Sequence, residues 1–320
     1  MSQFLYRSHL LTHHDAGISS IFAKLRELGW GDEIEKTDSY TLRPLTSHPL
    51  VKKPQELTDR IWNNIKQPLI EILQEFKEKR LMAERIVTLK KRQNIVVALL
   101  KAYALERPVT DVIPGPADVC NMDEFKAIVE DAPNNVEVSE GDFKKAMDQL
   151  PRLIQEWRYA KDTELVSIIN KNAAPDGIPL HKSHPKSDHK QLELTTTLFK
   201  CRFCYSSIAY PRILVHSCMR ILRESYRDYE DPRFILWRNM DDEPWNFGGN
   251  RVEIDSRAMP AARVVLESCA LDPGTTTAKE MDDLDARFEC LKCYDEKSKR
   301  LIMGWRTAVW YLCFLLDIVD

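Results

Sequence analysis

Two Cys-x-x-Cys pairs, Cys201–Cys204 and Cys290–Cys293, constrain this chain more than any other feature of its sequence. Two thiolates separated by two residues can share one cation without straining the turn between them. Four such sulfurs complete a tetrahedral shell, and a closed shell has no open position for water or substrate. The spacing therefore predicts a Zn2+ ion held by Cys201, Cys204, Cys290 and Cys293, with a structural task. A redox dithiol fits less well. Thioredoxin-like sites use one motif at a strand-to-helix turn, with small or proline residues between the sulfurs. Here Arg202-Phe203 and Leu291-Lys292 fill the gaps, and both motifs follow strand-like runs. Bringing distant pairs together costs loop entropy that grows only logarithmically with length. Structural zinc returns roughly 10–16 kcal/mol of apparent binding free energy.

His216-x-Cys218 follows the first pair closely and adds two more candidate donors. An all-thiolate site with His216 and Cys218 packed nearby is one solution; Cys201, Cys204 and His216 with a ligand from the second pair is another. Thiolate pairs chelate best, which favours the first. Whether His216 or Cys218 replaces a cysteine stays open, and His216 is equally well read as a hydrogen-bonded neighbour. His181, His184 and His189 lie in a lysine- and proline-rich stretch where nothing fixes their geometry.

The 320 residues exceed what one hydrophobic core usually spans, so two domains are expected. A net charge of −3 supplies no global field toward nucleic acid or an anionic membrane. The 10 glycines form no G-x-G-x-x-G or G-x-x-x-x-G-K-[ST], and Gly248-Gly249 reads as a turn. No signal-peptide h-region or run long enough for a membrane span is apparent. An intracellular location, cytoplasmic or nuclear, is expected, and there eight cysteines serve as thiols or metal ligands rather than disulfides.

Periodicity predicts a helical region over 1–170, a flexible linker over 171–190 and a zinc-stabilised α+β region over 191–320. In the first region, Ile61, Trp62, Ile65, Leu69, Ile72, Leu73 and Phe76 recur at helical spacing, with Pro68 expected to kink or divide the element. Helices are predicted over 122–130, 139–150 and 152–170, with Ser139 and Asp142 forming a capping box. Beyond the linker, Leu198-Phe199-Lys200, Ile213-Leu214-Val215, Arg251–Asp255, Arg287-Phe288-Glu289 and Leu301-Ile302-Met303 read as strands. Helices are expected from Ala261, from a Thr277/Glu280 capping box and from near Trp305. The fold class is α+β: a mainly helical N-terminal region with a small zinc-ribbon-like or treble-clef-like C-terminal region.

The basic residues Lys77, Lys79, Arg80, Arg85, Lys90, Lys91 and Arg92 interleave with Glu71, Glu75, Glu78 and Glu84, the pattern of a salt-bridged solvent-facing surface. Asp241-Asp242-Glu243 and Asp282-Asp283 likewise read as solvent-facing charge. No G-x-S-x-G, H-E-x-x-H or deaminase-type H-x-E with P-C-x-x-C is present. Pro54-Gln55-Glu56-Leu57 ahead of Ile61 and Trp62 resembles the opening of an F-box, the module that docks onto ubiquitin-ligase adaptors. Lys53, where that family has leucine, and the long charged helix depart from it.

Phe199-Lys200-Cys201 with Cys204, Tyr210-Pro211, Val215-His216 with Cys218, Trp245-Asn246-Phe247, Asp282–Arg287, Cys290–Cys293 and Trp305-Arg306 together resemble a group of uncharacterised basidiomycete fungal proteins, some labelled F-box-like. The resemblance implies a cysteine/histidine zinc-binding region and no reaction. It also implies a polar, histidine-bearing helix after Ala308, where this chain has the apolar Trp310–Leu316; an altered splice end would account for that difference. The expected role is non-enzymatic: a zinc-stabilised structural or protein-interaction protein with protein partners and no nucleic acid. An F-box-like adaptor, a zinc-dependent enzyme and a nucleic-acid-binding protein are the alternatives.

Overall fold

The computed structural model describes residues 18–36, 45, 47–49, 51, 57–172, 188–222, 231–290 and 301–316. By contacts the chain divides into two units, Met1–Thr88 and Leu89–Asp320. In the first, helix α1 (Gly31–Lys36) and the N-terminal part of α2 (Asp59–Leu105) surround a core of Leu25, Ile34, Trp62, Ile65, Leu69 and Leu73. The α2 residues in that core fall three or four apart, so one stripe of the helix is buried. The stripe that carries Trp62 and Ile65 is thus used within its own unit. Pro68 lies inside α2, which continues through it. Arg80 donates through Nε and Nη2 to Glu33 at 2.9 and 2.8 Å, and through Nη1 to Glu84 at 2.7 Å. The Arg80 hydrogen bonds hold the Glu33 carboxyl below its ordinary pKa.

In the second unit the C-terminal part of α2 packs with α3 (Pro116–Cys120), α4 (Asp123–Lys126) and the first half of α5 (Lys144–Asn172). Helix α5 is one element where two were expected. It runs through Pro151, with Leu150 and Leu153 buried on either side in a single core. The Ser139/Asp142 capping box forms as the spacing predicts. Arg92 departs from the solvated-face expectation. Only 2% of it is exposed, and its guanidinium donates to the carbonyls of Val129, Ala132, Pro133 and Val136 at 2.7–3.1 Å. Those carbonyls belong to the end of a helical turn and the loop after it, so Arg92 caps them from below. Arg92→Met is expected to lower stability by about 1.5–3 kcal/mol, measured by urea unfolding at neutral pH. An unchanged midpoint would contradict that role.

The second half of α5 buries Leu165, Val166 and Ile169 in the same cluster as Phe199 and Cys201 of the sheet. Helix and sheet therefore lie in one unit, and the contact division does not fall at the expected 171–190 linker, of which 173–187 are outside the described residues. The sheet has the order β2-β1-β3, antiparallel throughout, from β1 (Leu198–Cys201), β2 (Ser207–Ala209) and β3 (Val252–Ile254). Side chains alternate across β1: Phe199 and Cys201 enter the α5 cluster, whereas Leu198 joins a third cluster. That third cluster comprises α7 (Ala258–Ser268), α8 (Ala278–Leu284), α9 (Trp305–Leu316) and the hairpin β4 (Arg287–Glu289) with β5 (Ile302–Gly304). Between the sheet strands, α6 (Pro232–Met240) carries Leu236 and Trp237 into the first cluster of this unit. Among the described residues no helix is long and apolar enough to cross a membrane.

Candidate metal centre

The first Cys-x-x-Cys pair is the turn of the β1–β2 hairpin. Phe199 pairs with Ile208 and Lys200 with Ser207, so Cys201 ends one strand as the chain reverses through Arg202 to Ser206. The reversal is secured by backbone bonds from Tyr205 N–H to the Cys201 carbonyl at 2.9 Å and from Cys201 N–H to the Ser206 carbonyl at 3.0 Å. Tyr205 takes a left-handed φ of 59° to complete it. Phe203 N–H points at Cys201 Sγ, 3.4 Å away, so the turn supplies a donor to the sulfur.

After β2 the chain makes two short 3-10 turns, Arg212–Val215 and Ser217–Met219, which set His216 and Cys218 against the hairpin. Ile213-Leu214-Val215 is thus a turn, not the strand its β-branched character suggests. Ile213 and Leu214 bury under the sheet while Leu214 N–H bonds back to the Pro211 carbonyl. One candidate ligand atom from each of Cys201, Cys204, His216 and Cys218 lies within 4.8 Å of the other three. Cys204 Sγ is 3.3 Å from His216 Nε2, which marks Nε2 as the nitrogen facing the cluster. A zinc–sulfur bond of about 2.3 Å at tetrahedral angles separates two ligand sulfurs by roughly 3.8 Å. The four donors already stand near that geometry, so the residues fit a tetrahedral metal.

Electrostatics points the same way. Burial raises the Cys204 pKa, but hydrogen bonds from Ser206, Cys201 and His216 outweigh it and bring the thiol down to about 6. Burial and the neighbouring Cys201 and Cys204 sulfurs push Cys218 up to about 11. Metal ligation takes cysteines as thiolates, so binding at this cluster would release protons. Cys201 is fully buried and Cys204 is exposed, so the cluster sits at the edge of the core with one side toward solvent.

Comparison of the chain with protein-family models, curated proteins and solved structures finds no match.

The second expected pair takes no part among the described residues. Cys290 follows β4, which pairs with β5 in a separate two-stranded sheet, and it packs against the third cluster of α7 and α9. Cys293 lies outside the described residues. Among the described residues, His216 and Cys218 from the neighbouring turn complete the cluster with the first pair, and Cys290 is not part of it.

A second layer, missed in the sequence, fixes the His216–Cys218 arm. Arg251 is 3% exposed and donates through Nη1 to the carbonyls of Met219 and Ile221 at 3.2 and 3.0 Å, while Nη2 pairs with Glu243, itself 1% exposed. Arg202 N–H bonds the Arg251 carbonyl at 2.9 Å, tying the same residue to the knuckle turn. Asn246 N–H donates to Met219 and its side-chain oxygen accepts from Arg251 N–H, both at 2.9 Å. Trp245 Nε1 holds the Ile213 carbonyl at 3.2 Å, and Trp245 N–H reaches the buried Asp118. Asp242 accepts from Ala117 N–H at 2.9 Å and pairs with Arg220, and burial is the main cause lifting its pKa to about 6. Asp242 and Glu243 are therefore buried, where sequence clustering suggested solvent-facing charge. Gly115 passes so close to Arg220 and Asp242 that a Cβ there would overlap both.

Proposed function

We propose that Cys201, Cys204, His216 and Cys218 hold one Zn2+ in a closed structural site, and that the protein is a non-enzymatic, zinc-stabilised protein acting through contacts with other proteins. The observation that carries this reading is the number of protein donors. Four converge, which is the count of a structural site; catalytic zinc sites keep three and leave the fourth for water. Three thiolates and an imidazole are a soft set that suits zinc over magnesium or calcium. The supporting layer is aimed at backbone carbonyls of the ligand turn, which gives it a positioning role rather than a reacting one. When bound, the ion would cross-link the hairpin to the turn that follows it.

Cobalt(II) substitution tests the closed shell. The substituted protein is expected to show the intense visible bands of four-coordinate cobalt with thiolate charge transfer, unchanged by added azide or cyanide. Bands that shift on adding either anion would reveal an exchangeable position and favour a zinc-dependent enzyme.

A further inference from the structure

A cleft of about 700 Å³ opens between the 109–112 loop, α5, the Arg212–Val215 turn and the first turns of α8 and α9. That volume is typical of small-molecule sites. Val112, Tyr210 and Val215 give it an apolar wall. Of its charged groups, Lys279 pairs with Asp283 and Asp111 lies on the 109–112 loop; the others fall into two sets. In one, Arg158 donates to Tyr210 Oη at 2.7 and 3.0 Å, and Tyr210 donates on to Asp162 at 3.1 Å. Glu193 belongs with this set, since its charge acts on Asp162.

The other set is short of negative charge. Arg306 Nη1 pairs with Asp282, which also accepts from Trp305 Nε1 at 2.8 Å. Arg306 Nε is buried with no hydrogen-bond partner among the described residues. Arg212 lines the same cleft and forms no ion pair among the described residues. Burial first, and then the charge of Arg212, lowers the Arg306 pKa, so the two guanidiniums lie in each other's field. Asp282 is thus taken up by Arg306 and Trp305, Arg212 adds a second cation to the cleft, and the buried Arg306 Nε is left over. An unsatisfied buried donor costs about 1–3 kcal/mol, which a bound acceptor would recover.

We propose that this cleft binds a small phosphate monoester, its phosphoryl oxygens on Arg212 and Arg306 and its organic part against Tyr210, Val112 and Val215. A phosphoryl group offers three acceptor oxygens and can serve both guanidinium forks at once, whereas one fork uses up a carboxylate. Asp111 and Glu193 in the wall repel a ligand that is anionic throughout, which favours one charged end on a neutral body. This binding needs no metal at the four-donor cluster.

Isothermal titration calorimetry of the full chain, with phenyl phosphate and inorganic phosphate at constant ionic strength, tests the proposal. Saturable one-to-one binding of phenyl phosphate is expected. Arg212→Gln should weaken it by at least about 10-fold, the loss expected for a charge-assisted hydrogen bond. Arg212 is solvent-exposed, so this variant keeps its melting temperature. Arg306→Lys, which keeps the charge but removes the fork, should weaken binding as well, and Arg233→Gln on α6 should leave it unchanged. Binding that Arg212→Gln does not alter, or no saturable heat at millimolar phenyl phosphate, overturns the assignment.

Discussion

Cys201→Ser is expected to release the bound metal and melt the β2-β1-β3 sheet, whereas Cys290→Ala leaves metal content at its starting value. Cys201 is the only fully buried donor of the four, and it ends the central strand of that sheet. The change removes a thiolate ligand and puts a hydroxyl in place of a sulfur buried in the α5 cluster. Changes confined to groups behind the ligands commonly cost 10–100-fold in metal affinity, so removing a ligand should exceed about 100-fold. Because structural metal binding is folding free energy, thermal stability should fall with occupancy, and a chelator should reproduce the effect on the unmutated chain. Cys269→Ser, at the C-terminal end of α7, serves as a thiol control outside the cluster. Metal per chain, measured by elemental analysis, decides the comparison. Equal loss in Cys201→Ser and Cys290→Ala would contradict the assignment.

Arg251→Met should be the most damaging change away from the donors. It takes the Arg251 guanidinium away from the buried Glu243 carboxylate, and breaking a buried pair typically costs about 3–5 kcal/mol. At the same stroke the Ile221 carbonyl loses its Arg251 donor and the Met219 carbonyl keeps only Asn246 N–H, so the turn carrying Cys218 loosens and metal affinity falls with stability. Replacing both partners, Glu243→Leu with Arg251→Met, should recover part of the loss, because the buried carboxylate is removed with its guanidinium. Urea unfolding of the single and double variants measures both effects. A double variant less stable than Arg251→Met alone would contradict that account of the pair.

Much of the architecture was legible because its signals are local. The caps at Ser139/Asp142 and Thr277/Glu280 and the strands at Leu198, Val252, Arg287 and Ile302 follow from spacings of two to four residues. The first cysteine pair was legible for the same reason. The choice of its partners was not, since pattern alone ranks thiolate pairs above a mixed His-x-Cys. Geometry and chain entropy rank them otherwise. His216 and Cys218 follow β2 directly, and closing that short loop costs less than reaching Cys290, by on the order of 1–2 kcal/mol. The 3-10 form of Ile213-Leu214-Val215 was hidden by β-branched side chains that bury equally well in a turn. Arg92, Asp242, Glu243 and Arg251 were unreadable for a different reason. Their burial depends on partners distant in the chain or on carbonyls whose direction only the fold sets, and a charged residue in sequence carries no mark of either.

X-ray absorption at the zinc edge of the metal-loaded protein tests the central claim most directly. Three sulfurs at about 2.3 Å and one nitrogen at about 2.0–2.1 Å are the shell that Cys201, Cys204, Cys218 and His216 would give. Four sulfurs, or an oxygen in the first shell, would contradict it.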